Sequence, residues 1–467
     1  MNASVKAPGN ASASNLIEKY NVPGPRYTSY PTVPYWETTP TIEAWIAALR
    51  AEWQKSAARG GGVSLYVHIP FCESLCTYCG CNTRITRNRS VGAPYIKTVL
   101  REWDLYRKEL GNVAISEIHL GGGTPTFLTV AELRELVLGI LEGHRILPKK
   151  EFSIEVDPRV TGTEQLEALA ELGFRRVSLG VQDFDPRVQQ AVHRVQSYEQ
   201  VRTIVESARR LGFTSVNFDL IYGLPFQTLE SVEQTMAQVA DLSPDRIAFY
   251  SYAHVPWIKA SQRRWTEADL PPPDLKRRLY ERGREILDAN GFQEIGMDHF
   301  AKETDTLWKA VQNGELHRNF MGYVAVHGSP QIGLGVSSIS DAWTTFVQNE
   351  KTLETYARTI DAGKLAIFRG HTLTEEDLVL RRHILDLMTR FETSWPKDRT
   401  TPAFLTDLET RLLEPSRDGL VELIRGAETT GLKVTPAGRP FIRNVCMAFD
   451  APLFRKAPQT RIFSSTV

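Results

Sequence analysis

Between residues 64 and 252 the chain alternates short apolar runs of strand length with segments of helical period. The runs are Ser64–Phe71, Ile115–Leu120, Phe152–Val156, Arg176–Val181, Ser215–Tyr222 and Arg246–Tyr252. Between them lie the amphipathic stretches Tyr95–Leu110, Val130–Gly143, Glu164–Leu172, Tyr198–Leu211 and Leu229–Leu242. Glycine closes two of these, at Leu172-Gly173-Phe174 and Leu211-Gly212-Phe213, where a left-handed cap favours it. Strands alternating with helices build right-handed βαβ units on a parallel sheet. Six strands fall short of the eight that close a TIM barrel. The expected fold is therefore α/β, a partial (β/α)6 TIM-like barrel that stays open.

In parallel α/β folds the site lies at the carboxyl ends of the strands. Polar signals fall there in every unit. A cysteine cluster follows the first run, Gly121-Gly122-Gly123-Thr124-Pro125 the second, and Glu155 and Asp157 end the third. Gln182-Asp183 ends the fourth, Asp219 and Gly223 belong to the fifth, and Tyr252-Ala253-His254 follows the sixth. Glu155 and Asp157 share one face, because successive strand residues point to opposite sides. A solvent-facing strand end would show the same alternation. The triple glycine lets the backbone approach a ligand with no Cβ in the way.

Four of the five cysteines, Cys72, Cys76, Cys79 and Cys81, lie within ten residues. CxxxCxxC spacing suits three irons of a cubic 4Fe–4S cluster. Cys81 is too near Cys79 to reach the opposite corner, and Cys446 is remote in sequence. One iron would stay open to another ligand, as catalytic metal sites keep a position free. The competing reading is a structural zinc site completed by His68 or Cys81, although Cys₄ zinc sites usually use two separated pairs. Cys81 is either part of the site or an inert buried thiol.

The 467 residues, 42% hydrophobic, suffice for a large core and more than one domain. With 55 basic and 55 acidic residues there is no excess of the kind a nucleic-acid binder shows. No apolar run reaches the ~18 residues of a membrane span. Residues 1–15, rich in Ala, Ser and Asn, read as a disordered tail rather than a signal peptide. An odd, clustered set of cysteines fits a reducing, cytoplasmic setting. After Phe300 the period changes, and His317–Tyr323 and Gly333–Ile339 read as short strands and turns rather than a seventh unit. The helical pattern Asp377–Arg390, followed by Asp418-Gly419-Leu420-Val421 and Leu432-Lys433-Val434, predicts a mostly helical, winged-helix-like region. It lacks a dense basic stretch, so a structural lid is favoured over a DNA reader. The division expected is tail 1–15, N-terminal arm and helix 16–55, partial barrel 56–300, substrate-side extension 301–370 and C-terminal domain 371–467.

Tyr66-Val67-His68-Ile69-Pro70-Phe71-Cys72, leading into CxxxCxxCxC, resembles the radical S-adenosylmethionine enzymes. Within them it resembles the oxygen-independent coproporphyrinogen III oxidases of the HemN type. Cys81 is a mark of that group which heme-chaperone relatives usually lack. The resemblance runs from about Leu16 to Asp450. It includes the arm Gly24-Pro25-Arg26-Tyr27-Thr28-Ser29-Tyr30-Pro31-Thr32, Val181-Gln182-Asp183-Phe184, Val192-His193-Arg194, Asn217 to Pro225, Gly296 to Phe300 and Arg443 to Asp450.

The resemblance implies a 4Fe–4S cluster held by Cys72, Cys76 and Cys79. It implies two S-adenosylmethionine molecules contacted by Tyr66, Tyr78, Gly122, Gly123, Thr124, Glu155, Gln182, Arg194, Asp219, Ala253 and Ile339. It further implies a 5′-deoxyadenosyl radical that removes hydrogen from two propionates of coproporphyrinogen III, giving the vinyl groups of protoporphyrinogen IX in heme biosynthesis. A reducing donor such as a flavodoxin or ferredoxin, a monomeric state and an arm folded over the site are implied too. The substrate's carboxylates call for cations, and Arg26, His299 and Arg318 are the candidates, with Phe320 and Met321 beside them; single arginines are otherwise mostly surface charges. One departure is Met321 in His317-Arg318-Asn319-Phe320-Met321-Gly322-Tyr323-Val324, where the family often has Gln. A thioether fills the space but loses the amide's hydrogen bonds. The alternative is a heme-binding or heme-delivery relative on the same scaffold, against which Cys81 and the arm argue.

Overall fold

Twelve strands join edge to edge in one open sheet in the computed structural model, which describes residues 13–325, 328–396, 403–456 and 462–466. Six parallel strands pair in chain order: β1 (Val63–Ile69), β2 (Ala114–Gly122), β3 (Arg145–Val156), β4 (Arg176–Gln182), β5 (Ser215–Tyr222) and β6 (Arg246–Ser251). The helices between them are α1 (Gly92–Leu110), α2 (Val130–Leu141), α3 (Thr163–Glu171), α4 (Tyr198–Arg210) and α5 (Leu229–Leu242), and α6 (Pro273–Ala289) follows β6. Capping boxes start three of them, Thr129 with Glu132, Ser197 with Gln200 and Thr228 with Ser231, which satisfy N–H groups a helix start leaves unpaired.

The two faces of this sheet differ in chemistry. Outward residues such as Leu65, Val67, Ile118, Leu120, Ile154, Val177, Val216, Phe218 and Ile247 are almost wholly buried beneath the helices. Burying each contributes about 1.5–3 kcal/mol. The inner face is polar and hydrogen-bonded across strands: His119 to Ser153 at 2.7 Å, Asn217 to Ser178 at 2.6 Å, and Ser178 to Asp219 at 2.9 Å. β3 begins seven residues before its apolar run, because its charged first half still pairs with β2 from Ala114↔Arg145 onward.

The sequence pattern stops at six strands, yet β1 gains a parallel neighbour on its other side. This is β9 (Gln331–Leu334), with Ser64 opposite Gln331 and Val67 opposite Leu334. A Cβ on Gly333 would lie 2.5 Å from the Ile339 carbonyl oxygen, so the close packing that admits this strand also strips it of an apolar signature. β10 (Ile339–Asp341), β11 (Thr345–Asn349) and β12 (Ile367–Thr372) continue that edge antiparallel, so much of the segment read as an extension belongs to the main sheet. At the opposite edge β8 (His299–Lys302) pairs antiparallel with β6, and β7 (Phe292–Gly296) lies outermost.

A second core surrounds helix Glu375–Arg390, helix Leu408–Arg417 and the antiparallel sheet β13 (Glu392–Pro396), β15 (Thr429–Val434), β14 (Val421–Arg425), a winged-helix-like arrangement. Ile17, Tyr20, Tyr27 and Tyr30 of the arm are buried in it. Helix Ala13–Tyr20 begins inside the tail expected over 1–15; residues 1–12 lie outside the described residues. Among the described residues no helix is long and apolar enough to cross a membrane.

Candidate active site

A cavity of 560 Å³ opens at the carboxyl ends of the parallel strands. Its walls hold Cys72, Cys76, Cys79 and Cys81, with Tyr78, Gly122, Gly123, Thr124, Glu155, Gln182, Arg194 and Asp219. The cysteine loop follows β1 and is fastened from below and beside. His68 bonds the Asn82 carbonyl (2.9 Å) and the Tyr66 hydroxyl (3.0 Å), and so anchors the loop's far end rather than serving as a ligand. His193, itself in the left-handed region at φ 56, bonds the Leu75 carbonyl at 2.9 Å.

The sulfurs sit in unequal surroundings. Cys76 Sγ faces two guanidinium groups, Arg194 Nη1 at 3.5 Å and Arg159 Nη2 at 3.6 Å. Asp157 spans both arginines, at 3.1 Å from Arg194 and 2.6 Å from Arg159. Burial would raise the Asp157 carboxyl, but Arg194 and Arg159 hold it below the usual range. Thr124 donates to Cys72 Sγ at 3.4 Å, and burial pushes the Cys72 thiol up to about 11. The Cys81 thiol and backbone N–H, the latter at 3.4 Å, lower Cys79 to about 6. Cys81 stands beside Cys79 on the same cavity wall.

The glycine turn is a cradle that no side chain can enter. Gly122 has φ 109, and a Cβ there would sit 2.5 Å from the His68 ring. A Cβ on Gly123 would lie 2.8–2.9 Å from the backbone of Pro70 to Phe71. Glu155 accepts from the Gly122 N–H at 3.0 Å and pairs with His119 at 3.2 Å. Burial would raise Glu155, yet His119 and that N–H keep it below its ordinary value, whereas burial and the Glu155 charge push Asp219 up to about 6. Two carboxyls of one cavity are thereby held apart, one firmly ionised and one ready to carry a proton. Gln182 adopts φ 67, a strained conformation for a non-glycine residue at the cavity wall.

Three residues expected at the site stand back from this cavity. Tyr66 stacks on His119 (5.9 Å, 17°) one layer below. The Ala253 carbonyl accepts from Gln262, which also donates to Tyr78. Ile339 packs with Trp36, Phe346 and Phe320. Of the cations expected to meet substrate, Arg26 donates to the Ser251 carbonyl at 2.5 Å and lies 3.8 Å from Asp298, which holds His299 at 2.7 Å. His299 meets Tyr250, a cavity residue, edge-on. Arg318 is buried against Tyr323, and its Nε and Nη1 have no hydrogen-bond partner. Met321, half-buried, caps the turn between His317–Asn319 and Gly322–Val324 with its N–H on Asn319.

Arg159, His119 and Tyr250 are site residues that sequence reasoning missed. Arg159 lies two positions beyond Asp157 in the turn after β3, and His119 stands on the Glu117-His119-Gly121 face of β2, where alternation would have singled it out. Among the described residues no three His, Cys, Asp or Glu side chains converge to hold a metal ion. The cysteines instead share one cavity wall, and soft thiol donors beside two guanidinium cations and a side-chain-free cradle fit a thiolate-held cluster with an adjoining ligand.

Residues 66–239 match the model of the radical SAM superfamily. The chain is 41% identical over 446 residues to an oxygen-independent coproporphyrinogen III oxidase of Pseudomonas aeruginosa, covering 94% of this chain and 95% of that protein. It is 40% identical over 447 residues to that of Escherichia coli, covering 95% and 96%. A solved structure of coproporphyrinogen III oxidase (HemN) from Escherichia coli, described as a radical SAM enzyme, superposes with a TM-score of 0.84 at 38% identity over 91% of this chain and 97% of that one. The fold, the cysteine cavity and near-complete alignment agree: the chain belongs to the oxygen-independent coproporphyrinogen III oxidase family of radical SAM enzymes.

Proposed function

We propose that this chain decarboxylates two propionate side chains of coproporphyrinogen III to vinyl groups without oxygen, giving protoporphyrinogen IX. The observation that carries the reading is one cavity gathering Cys72, Cys76 and Cys79 with the Gly122–Thr124 cradle, Glu155 and Arg194 at the strand ends. When bound, a 4Fe–4S cluster and S-adenosylmethionine supply a one-electron reduction and a hydrogen-abstracting carbon radical.

The protein's part is holding and shielding. Cys72, Cys76 and Cys79 would hold three irons, with Arg159 and Arg194 balancing thiolate charge at Cys76. Gly122 and Gly123 admit a ligand's polar end to the backbone, and ionised Glu155 offers it an acceptor. Tyr66, Tyr78, Thr124, Gln182, Asp219, Ala253 and Ile339 complete the contacts proposed for two S-adenosylmethionine molecules. Arg318, with two unpaired nitrogens, suits a substrate carboxylate, since buried polar groups without partners cost about 1–3 kcal/mol each until satisfied. Arg26 and His299 would take others, and Phe320 and Met321 shape that wall. In the same reading, the arm (16–55) and C-terminal region (371–467) close over the barrel (56–300) and its extension (301–370). A flavodoxin or ferredoxin supplies electrons, and the enzyme works as a cytoplasmic monomer.

Anaerobic reconstitution followed by assay with reductant, S-adenosylmethionine and coproporphyrinogen III tests it. About four irons per chain, with deoxyadenosine and vinyl product formed together, is the expected result. Deoxyadenosine without vinyl product would move the substrate elsewhere and make Met321→Gln the next variant. Absence of cleavage by an iron-loaded protein would overturn the reading.

A further inference from the structure

A second cavity, of 260 Å³, lies behind the first on the helix side of the sheet. Along β5 and β6 the two are offset by one residue. Ile221 and Tyr250 line the cysteine cavity, and Tyr222 and Ser251 line the second. Neighbours along a strand point to opposite faces, so the two spaces are back to back and not one site.

Five arginines wall this cavity: Arg26 from the arm, Arg277 and Arg284 from α6, and Arg439 and Arg443 from the C-terminal region. Three carboxylates face them, Glu281, Glu294 and Asp298. Glu281 is shared between Arg277 and Arg284, Glu294 lies 3.6 Å from Arg439, and Asp298 is divided between Arg26 and His299. Among the described residues Arg443 bonds carbonyl oxygens only, those of Gly24, Pro25, Ser465 and Thr466. Burial and the Arg26 charge lower the Arg443 guanidinium to about 9, and burial with Arg26 and Arg443 lowers the adjacent Lys276 ammonium to about 7. The region thus carries more positive charge than its own acids offset.

We propose that this cavity is a binding site for a diphosphate-type oxyanion, free or carried by a nucleotide, which ties the N-terminal arm, α6 and the C-terminal region together. Guanidinium forks pair with phosphate oxygens two at a time, and a surplus of cations favours a multiply charged anion. The volume lies below the ~300–1,000 Å³ of pockets for drug-sized ligands, which excludes the tetrapyrrole itself. Because Arg26 also reaches Ser251 and Asp298, and Asp298 holds His299, an anion here steadies the arm where it meets the substrate side of the sheet.

Calorimetric titration of the reconstituted holoenzyme with inorganic pyrophosphate, at ionic strength fixed with chloride, tests this. The expected result is one saturable site per chain, weakened at least tenfold in the double variant Arg284→Ala/Arg439→Ala. Both side chains are more than 40% exposed, so their loss leaves the fold and basal S-adenosylmethionine cleavage intact. Glu281→Gln removes a competing carboxylate and should tighten binding severalfold. ADP binding more tightly than pyrophosphate assigns a nucleotide, and equal binding assigns the free anion. No saturable heat, or an unchanged affinity in the double variant, overturns the proposal.

Discussion

The six parallel strands carry charged side chains at both ends of their inner face, and the two ends are resolved in opposite ways. At the amino end charges of opposite sign pair with one another. Glu151 lies 2.9 Å from Arg176 and 3.7 Å from Arg246, Arg246 lies 2.7 Å from Asp305, and Ser215 closes on Asp305 at 3.0 Å. At the carboxyl end Cys72, Cys76, Cys79, Glu155 and Asp219 face a cavity. Buried charges that saturate each other hold a fold together, whereas groups left facing a void are arranged for something that enters it. The same division, stability below and chemistry above, is general for barrels of parallel strands.

The strongest test of that contrast is Cys76→Ser. Bound iron should fall severely and reductive S-adenosylmethionine cleavage should drop more than about 100-fold, a barrier change of roughly 3 kcal/mol, while the melting temperature of the cluster-free protein barely moves. Arg246→Met should do the reverse. It strands Asp305 without its cation and leaves Glu151 with Arg176 alone, and breaking such a buried pair costs about 3–5 kcal/mol; denaturant unfolding would show it, and cleavage per folded molecule should survive. Equal damage to fold and chemistry by both variants would erase the distinction.

Glu117→Gln sharpens the picture at the amino end, where Glu117 borders a separate cavity of 240 Å³. Burial and the nearby Glu151 raise the Glu117 carboxyl from 4.5 to about 7. The folded state therefore holds this proton more tightly than the unfolded chain. The resulting stability is complete below pH 4.5 and is lost as pH rises to 7. The neutral amide avoids that loss, so the variant should gain on the order of 3 kcal/mol at pH 8 and nothing at pH 4, at 1.36 kcal/mol per pH unit. The smallest effect belongs to Cys81→Ser, which should leave iron content unchanged and slow cleavage less than about threefold, under roughly 1 kcal/mol, as the serine hydroxyl replaces a thiol that bonds Cys79 and lies outside the CxxxCxxC set.

The layers that were legible in the sequence are those whose signals are local. The outward rows of Val, Ile, Leu and Phe announce β1 to β6 because one face is covered by helices. Polar residues at the strand ends then place Glu155, Gln182 and Asp219 on one cavity, and the resemblance adds Arg194. Signals that depend on partners distant in sequence were not legible. β9 has four residues and a glycine imposed by Ile339; short-strand character was legible there, but not its pairing with β1. Arg318 resembles any arginine until its burial against Tyr323 and its unpaired nitrogens are seen. The second cavity draws its five arginines from segments separated by as many as 417 positions, from Arg26 to Arg443, and no window of sequence contains it.

The pairing of β1 with β9 also sets a timetable. β1 carries the cysteine loop and is the first parallel strand to leave the ribosome, but Gln331, the partner of its Ser64, is 267 residues further along. At ~5–20 residues per second, one side of that strand waits roughly 13–50 s with its backbone groups unmatched. An unpaired edge of this kind invites association with other chains. During synthesis the nascent chain therefore needs either shelter or delay at the strand on which its iron site will be built.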